Sequence, residues 1–327
     1  MERGEREGDG RRGERAGGLI LHHYASSPFS EKVRLVLGMK GLAWRSVTVP
    51  NILPKPDVVA LTGGYRRTPF LQIGADVYCD TLLMCRVLDR IAPEPPLVPE
   101  AQAGIAEIVS QWADTTLFWT AVPYTMQPAG AAHFFAGAPP EAIKAFGADR
   151  AAMNPTFRRA PLGDARAALV TYLGRLAAML ADGRKFLLGG SASLADVSAA
   201  QSIWFMRRAP PIAALLHPFP GVVAWFERVA ALGHGESSAM TSEEAIAVAA
   251  TARGHASTTV ADGQPFAAGV EVTIAASDYA HDEIVGTVVG LDDDEVVIAR
   301  DDARAGRVHV HFPRIGFHVK EIKKEKA

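Results

Sequence analysis

Short apolar runs and helical spacings alternate through the first ninety residues. Leu19-Ile20-Leu21-His22-His23-Tyr24 has the pattern of a short buried strand. Ser27-Pro28 then opens a helix: Ser27 suits the N-cap, and Pro28 the first turn, where its missing N–H costs nothing. Phe29, Val33, Val36, Leu37 and Lys40 follow at helical intervals, and Gly41 is a natural stop. Residues 44–49 form a second strand, ended by Pro50. The segment with Pro54, Pro56, Gly63 and Gly64 reads as irregular. Pro69-Phe70-Leu71-Gln72-Ile73, Gly74-Ala75-Asp76 and Val77-Tyr78-Cys79 predict a hairpin. Asp80 or Thr81 caps the next helix, which carries Leu82, Leu83, Cys85, Val87, Leu88 and Ile91. Prolines between 93 and 99 mark a linker.

The following section is helical and alanine-rich, with helices expected over 100–118, 162–181, 193–207 and 220–232. Ser193-Leu194-Ala195-Asp196 resembles a capping box, with Asp where Glu or Gln is preferred. A further helix, opened by Thr241 or Ser242, is expected to run to Arg253. From Gly263 the period changes to alternation, in Val270-Glu271-Val272-Thr273-Ile274 and Val308-His309-Val310-His311-Phe312, and more weakly in Val296-Val297-Ile298. Four or five short strands suggest a small SH3-like β-barrel. A module of this size is marginal alone, so docking on the helical domain or on a second subunit is expected. Phe312, Pro313, Ile315 and Phe317 are the candidate contact, unless they simply close the barrel. The expected division is a disordered tail (1–18), an α/β domain (19–91), an all-helical domain (100–254) and the β-barrel-like module (263–325).

Composition narrows the function classes. Lys and Arg number 34 against 36 Asp and Glu in 327 residues. That balance gives no global attraction to nucleic acid or to an anionic membrane. The glycine-rich first eighteen residues mix acids with arginines and have almost no apolar surface. Too little is there to offset the entropy of ordering, and neither a signal peptide nor a presequence fits. No later run approaches the roughly eighteen apolar residues of a membrane span. Two cysteines, Cys79 and Cys85, make neither a disulfide framework nor a zinc cluster, which favours a reducing, cytoplasmic setting.

Three segments in order resemble the glutathione S-transferase superfamily, over roughly residues 19–233. Tyr24-Ala25-Ser26-Ser27-Pro28-Phe29-Ser30-Glu31-Lys32-Val33-Arg34 is similar to its active-site turn and first helix. Arg67-Thr68-Pro69-Phe70-Leu71, with Asp80-Thr81 after it, is similar to the cis-proline loop and the acid–hydroxyl pair that opens a helix. Phe186-Leu187-Leu188-Gly189-Gly190 leading into Ser193-Leu194-Ala195-Asp196 is similar to the capped buried helix of the second domain. The resemblance implies a thioredoxin-like domain, an all-α domain, glutathione as co-substrate and a homodimer. The last ninety or so residues have no counterpart in an ordinary transferase.

On that resemblance, Ser27 is the candidate to stabilise a bound thiolate, since it places a hydroxyl donor at a helix N-terminus. Its other role is a plain helix cap; Ser26, Ser30 and Tyr24 are the nearby substitutes. Thr68 and Pro69, in cis, would present backbone groups to the cysteinyl part of the tripeptide. Asp80 would receive the γ-glutamyl ammonium and Thr81 its carboxylate. Arg67, or less favourably Arg66, would neutralise the glycine carboxylate or stand solvated at the surface. Trp112, Phe118, Trp119 and Tyr124 either line an apolar cleft for the electrophile or belong to the core. Cys79 fits the core better than a redox role.

His22-His23 and His309-Val310-His311 are weak metal candidates, because neighbouring residues on a strand face opposite ways and no third ligand lies at a useful spacing. No metal is therefore expected. The expected activity is conjugation of glutathione to a small electrophile. Two alternatives are a transferase-like binding protein that uses its C-terminal barrel for contacts, and a glutathione-dependent thiol reductase, which the serine in place of cysteine disfavours.

Overall fold

The structure, a computed structural model, describes residues 18–156 and 158–323. The expected disordered tail, Gly18 apart, lies outside the described residues. Strands β1 (Leu19–His23), β2 (Ala43–Thr48), β3 (Phe70–Ile73) and β4 (Asp76–Cys79) stand in the order β2-β1-β3-β4. β1 is parallel to β2 and antiparallel to β3, and β3–β4 is the predicted hairpin. Helices α1 (Pro28–Met39), α2 (Pro56–Thr62) and α3 (Thr81–Ile91) complete a thioredoxin-like domain. Side-chain alternation sends Leu19, Leu21, Leu71 and Tyr78 into one core and Ile20, Phe70, Val77 and Cys79 into the other.

α2 corrects the irregular reading of residues 50–64. Pro56 opens that helix and Gly63, at φ 78, ends it in the left-handed conformation. The two residue types taken as breakers are its boundaries.

The first core continues into the helical domain. Its helices are α4 (Ala103–Trp112), α5 (Phe118–Thr125), α6 (Pro128–Phe134), α7 (Pro140–Met153), α8 (Leu162–Met179), α9 (Leu194–Arg207), the single turn α10 (Pro210–Ala213) and α11 (Pro220–Ala230). A π-helical turn, Ala113–Leu117, joins α4 to α5, so the helix expected to end at 118 runs on to Thr125. α9 is buried along most of its length. Asp196 fixes its start by accepting from Ser193 N at 2.9 Å, Leu187 N at 2.8 Å and Trp225 Nε1 at 2.8 Å. α7 buries only Met153, so no apolar period announced it. No helix among the described residues is long and apolar enough to cross a membrane.

After α11 the chain returns to the sheet. β5 (Glu236–Ala239), exposed throughout and therefore unpatterned, pairs in parallel with β2. α12 (Ser242–Thr251) was read with the helical domain, yet its Ala245, Ile246 and Ala249 lie in the second core. Strands β6 (Glu271–Ala276), β7 (Ile284–Leu291), β8 (Glu295–Asp302), β9 (Gly306–Pro313) and β10 (Phe317–Glu321) form the C-terminal β module, with β10 paired back onto β6. Within the chain, the module docks on the thioredoxin-like domain rather than mainly on the helical domain. β9 runs parallel to β4, in register Asp76↔His309, Val77↔Val310 and Tyr78↔His311. One sheet results, in the order β10-β6-β7-β8-β9-β4-β3-β1-β2-β5. Phe312 and Phe317 pack on Tyr65, whereas Ile315 is 60% exposed, so only part of the predicted apolar cluster makes the contact.

Candidate functional site

A cavity of about 350 Å³ lies where the thioredoxin-like domain, α4 and the C-terminal module meet. Five of the six residues named from sequence for thiol and tripeptide contacts line it: Arg67, Thr68, Pro69, Asp80 and Thr81. Phe29 and Asp114 close other sides, and Ser277, Asp278 and Tyr279 of the module form a wall. A broader depression of about 460 Å³, around Asp182 and Gly190, lies away from these groups.

Ser27 is not among the lining residues but lies against Thr68, which is. Its Oγ accepts from Ser30 N at 3.1 Å, which makes it the N-cap of α1, and lies 3.4 Å from the Thr68 carbonyl, to which it donates. The Thr68–Pro69 peptide is cis. Tyr24 is held away from acid–base work: burial pushes its phenol up, against the pull of Arg150 and a hydrogen bond with Ser27. The Ser30 hydroxyl is buried without a hydrogen-bond partner among the described residues.

Asp80 is the N-cap of α3, accepting from Leu82 N at 2.9 Å. Its φ of 73 puts a non-glycine residue at left-handed φ, a conformation that costs on the order of 1–3 kcal/mol and concentrates at functional sites. Thr81 is buried at the first turn of the same helix, where backbone N–H groups favour an anion.

Arg67 differs from both readings made of it: it is neither solvated nor free. It is buried, its Nη2 donates to the Asp278 carboxylate and the Tyr279 carbonyl, and its guanidinium lies 3.8 Å from the Tyr279 ring centre. Its Nε–H is buried and unpartnered among the described residues. Arg66 is turned to Asp149, at 2.6 Å. The four aromatics divide. Phe118 packs on Phe29 at 4.6 Å and Trp119 on Tyr279 at 5.1 Å, so both back the cavity wall. Trp112, edge-on to Tyr172, and Tyr124 belong to the helical core instead.

Sequence reasoning passed over Lys55, Asp114, Asp278 and Tyr279. Lys55 is buried beside the proline loop, donating to Arg66 O at 3.1 Å and Thr68 Oγ1 at 3.3 Å, and burial lowers its ammonium to about 8. Its only local signal was the Lys-Pro step at a helix start. Asp278 and Tyr279 carried none.

The histidines separate into two settings. His22 lies 2.8 Å from Gln72 Oε1 and stacks on Phe70, while His23 lies 2.8 Å from Ser46 Oγ. Across the β4–β9 pairing, the tertiary structure supplies the acidic neighbour that spacing did not. His311 lies 2.9 Å from Asp76 Oδ1 and 2.6 Å from Glu295 Oε1. His255 and His309 bring Nδ1 atoms to 3.8 and 3.9 Å from the same Asp76 oxygen. Their rings are stacked at 3.6 Å, 12° from parallel, both Nδ1 atoms are buried without a hydrogen-bond partner among the described residues, and the ligand atoms of Asp76, His255 and His309 lie within 4.8 Å of one another.

A thioredoxin-like domain followed by a helical domain, with a cis-proline loop and a helix start facing one cavity, is the architecture of a glutathione S-transferase-like fold. The chain belongs to the glutathione S-transferase superfamily: the family's N-terminal domain matches residues 21–96 and its C-terminal domain residues 100–228. It is similar to the crystal structure of a GST-like protein from Pseudomonas syringae, with 40% identity and a TM-score of 0.80 over 93% of this chain and 100% of that one. That share takes in the C-terminal strands. A glutathione S-transferase from Rhodospirillum rubrum has the same fold at 20% identity and a TM-score of 0.50, over 65% of this chain and 87% of its own. No curated protein gives a significant sequence match.

Proposed function

We propose that this chain is a glutathione transferase that joins the glutathione sulfur to a small electrophile. The observation that carries the reading is the meeting of Thr68–Pro69 and Asp80–Thr81 on one cavity, with Ser27 in hydrogen-bond reach of Thr68. In this reading Asp80 receives the γ-glutamyl ammonium, Thr81 and the α3 N-terminus its carboxylate, and the proline loop the cysteinyl backbone. A free thiol of this kind titrates near about 8.5, and lowering it by about two units takes roughly 2.7 kcal/mol of preferential anion binding. Ser27 Oγ–H, turned from the Thr68 carbonyl to the sulfur, supplies part of that at the start of α1. The thiolate then forms the carbon–sulfur bond as the leaving group departs with its electron pair.

The thiol chemistry of the chain itself favours transfer over disulfide reduction. Both cysteines are buried; burial pushes Cys79 well up and Cys85 to about 12, so neither offers a thiolate near neutral pH. A cytoplasmic homodimer belongs to the same reading. Ile105 and Ile108, exposed a turn apart on α4, provide apolar surface for a second copy. Calorimetric titration with glutathione, followed by a conjugation assay with an activated aryl halide, tests the proposal. Saturable binding with turnover is expected; binding without turnover on any electrophile would leave a binding protein, and no binding would remove glutathione altogether.

A further inference from the structure

The cavity wall carries two arginines, and the C-terminal module brings an acid to each. Arg67 is paired with Asp278, and Arg86 with Asp294 at 3.0 Å as well as with Glu107 at 3.2 Å. Lys55, the other buried cation near the proline loop, is not among the lining residues and already donates to Arg66 O and Thr68 Oγ1. Asp80, Asp114, Glu107 and Asp278 face the same space. The lining is therefore acidic on balance, although the thiol tripeptide of the proposed function carries two carboxylates and one ammonium.

The loop that delivers Asp278 is fixed at several points. Tyr279 lies edge-on to Trp119 and under the Arg67 guanidinium. Ala280, at φ 50, donates its N–H to the Met153 carbonyl at 2.6 Å. Ser277 N donates to Gly316 O at 2.9 Å. A loop tied to the thioredoxin-like domain, to α5, to the end of α7 and to its own module is a built wall.

We infer that Asp278 occupies the place on Arg67 that a glycine carboxylate would take, so that the site selects γ-glutamyl thiols whose distal carboxylate is amidated or otherwise neutral. This rests on the proposed glutathione-type function and narrows it. A distal carboxylate would have to displace Asp278 or stand beside it, against like-charge repulsion in a partly buried site. A neutral amide meets no such conflict, and the Arg67 Nε–H, without a partner among the described residues, is a donor suited to an amide oxygen.

The test compares glutathione with its glycine-amide analogue by calorimetry, on the wild type and on Asp278→Asn, with melting temperatures taken on both. Asparagine keeps the size and a hydrogen-bond acceptor while removing the charge. The wild type is expected to bind the amide about tenfold more tightly than glutathione, and Asp278→Asn to gain about tenfold for glutathione alone. A wild type that binds glutathione as tightly as the amide or more tightly, or a variant that loses affinity for both while melting normally, would overturn the inference and leave the transferase reading standing. Failure of both thiols to bind either protein would overturn that reading and this inference with it.

Discussion

Lys32 and Asp114 form an ion pair at 2.5 Å between α1 and the π-helical turn, with the Lys32 side chain wholly inaccessible to solvent. Asp114 also accepts from Gln201 Nε2 at 2.6 Å and stands on the cavity wall. Burial, the largest single influence, would lower the Lys32 ammonium, but the Asp114 charge and hydrogen bond, together with Cys85 and Asp80, hold it above the usual lysine value. The pair joins the two domains beneath the site. Asp114→Leu, which strands a buried cation, is expected to cost about 3–5 kcal/mol. The double change Lys32→Met with Asp114→Leu should recover most of it, and urea unfolding measures both.

Asp80 combines a cap, a left-handed φ and a proposed ligand contact, and two substitutions separate them. Asn caps as well as Asp and tolerates positive φ. Asp80→Asn should therefore keep the melting temperature but weaken glutathione binding by about 1.5–3 kcal/mol, the range for a hydrogen bond to a charged group. Asp80→Ala should lose both affinity and about 1 kcal/mol of stability. Equal affinity in wild type and Asp80→Asn would remove Asp80 from the site.

Ser27→Ala is expected to raise the apparent pKa of bound glutathione and to lower kcat with a smaller effect on binding. Thiolate absorbance against pH reads the shift directly. An unchanged titration curve would leave Ser27 as the cap of α1 only, and Ser30, whose buried hydroxyl has no partner among the described residues, becomes the next residue to test.

His22 and His23 are both lowered to about 4, His22 chiefly by burial and His23 by burial and then Arg34. A histidine depressed in the folded state stabilises above its unfolded value, near 6.5, and the benefit is lost as pH falls towards 4. Melting temperature should decline across that window. His22→Gln, which removes the titrating ring yet keeps a side-chain amide towards Gln72, should flatten the decline; for the fully buried His22 the effect is on the order of 3 kcal/mol.

Truncation after Ala261 removes the β module, leaving β4 with a bare edge and the second core without Val310, Phe312 and Phe317. A loss of several kcal/mol is expected, at about 2–4 °C of melting temperature for each. A shortened chain that melts with the full protein would mean that the β4–β9 pairing is not stabilising.

Elements built by local rules were legible in the chain. Ser27-Pro28 and Gly41 bounded α1, the 69–79 hairpin followed from alternation, and Ser193 to Asp196 marked the start of α9. Where the local signal was absent or two-sided, reading failed. β5 is exposed on every residue, α7 buries one side chain, and the Pro56 and Gly63 that end α2 look the same as the breakers of a loop.

The sequence by itself determined the thioredoxin-like order, the helical second domain and the change to β structure near the C-terminus. Periodicity, caps and turn residues act over a few positions, and those positions are adjacent in the chain. Only the tertiary structure decided that β9 would seal the edge of β4, and that Asp278 would meet Arg67 across 211 residues of sequence. A strand edge offers the same N–H and C=O groups whatever its side chains, so its partner is chosen by the core it can share. A charge in a loop has no period at all, and its counterpart is set by where two rigid domains bring the backbone.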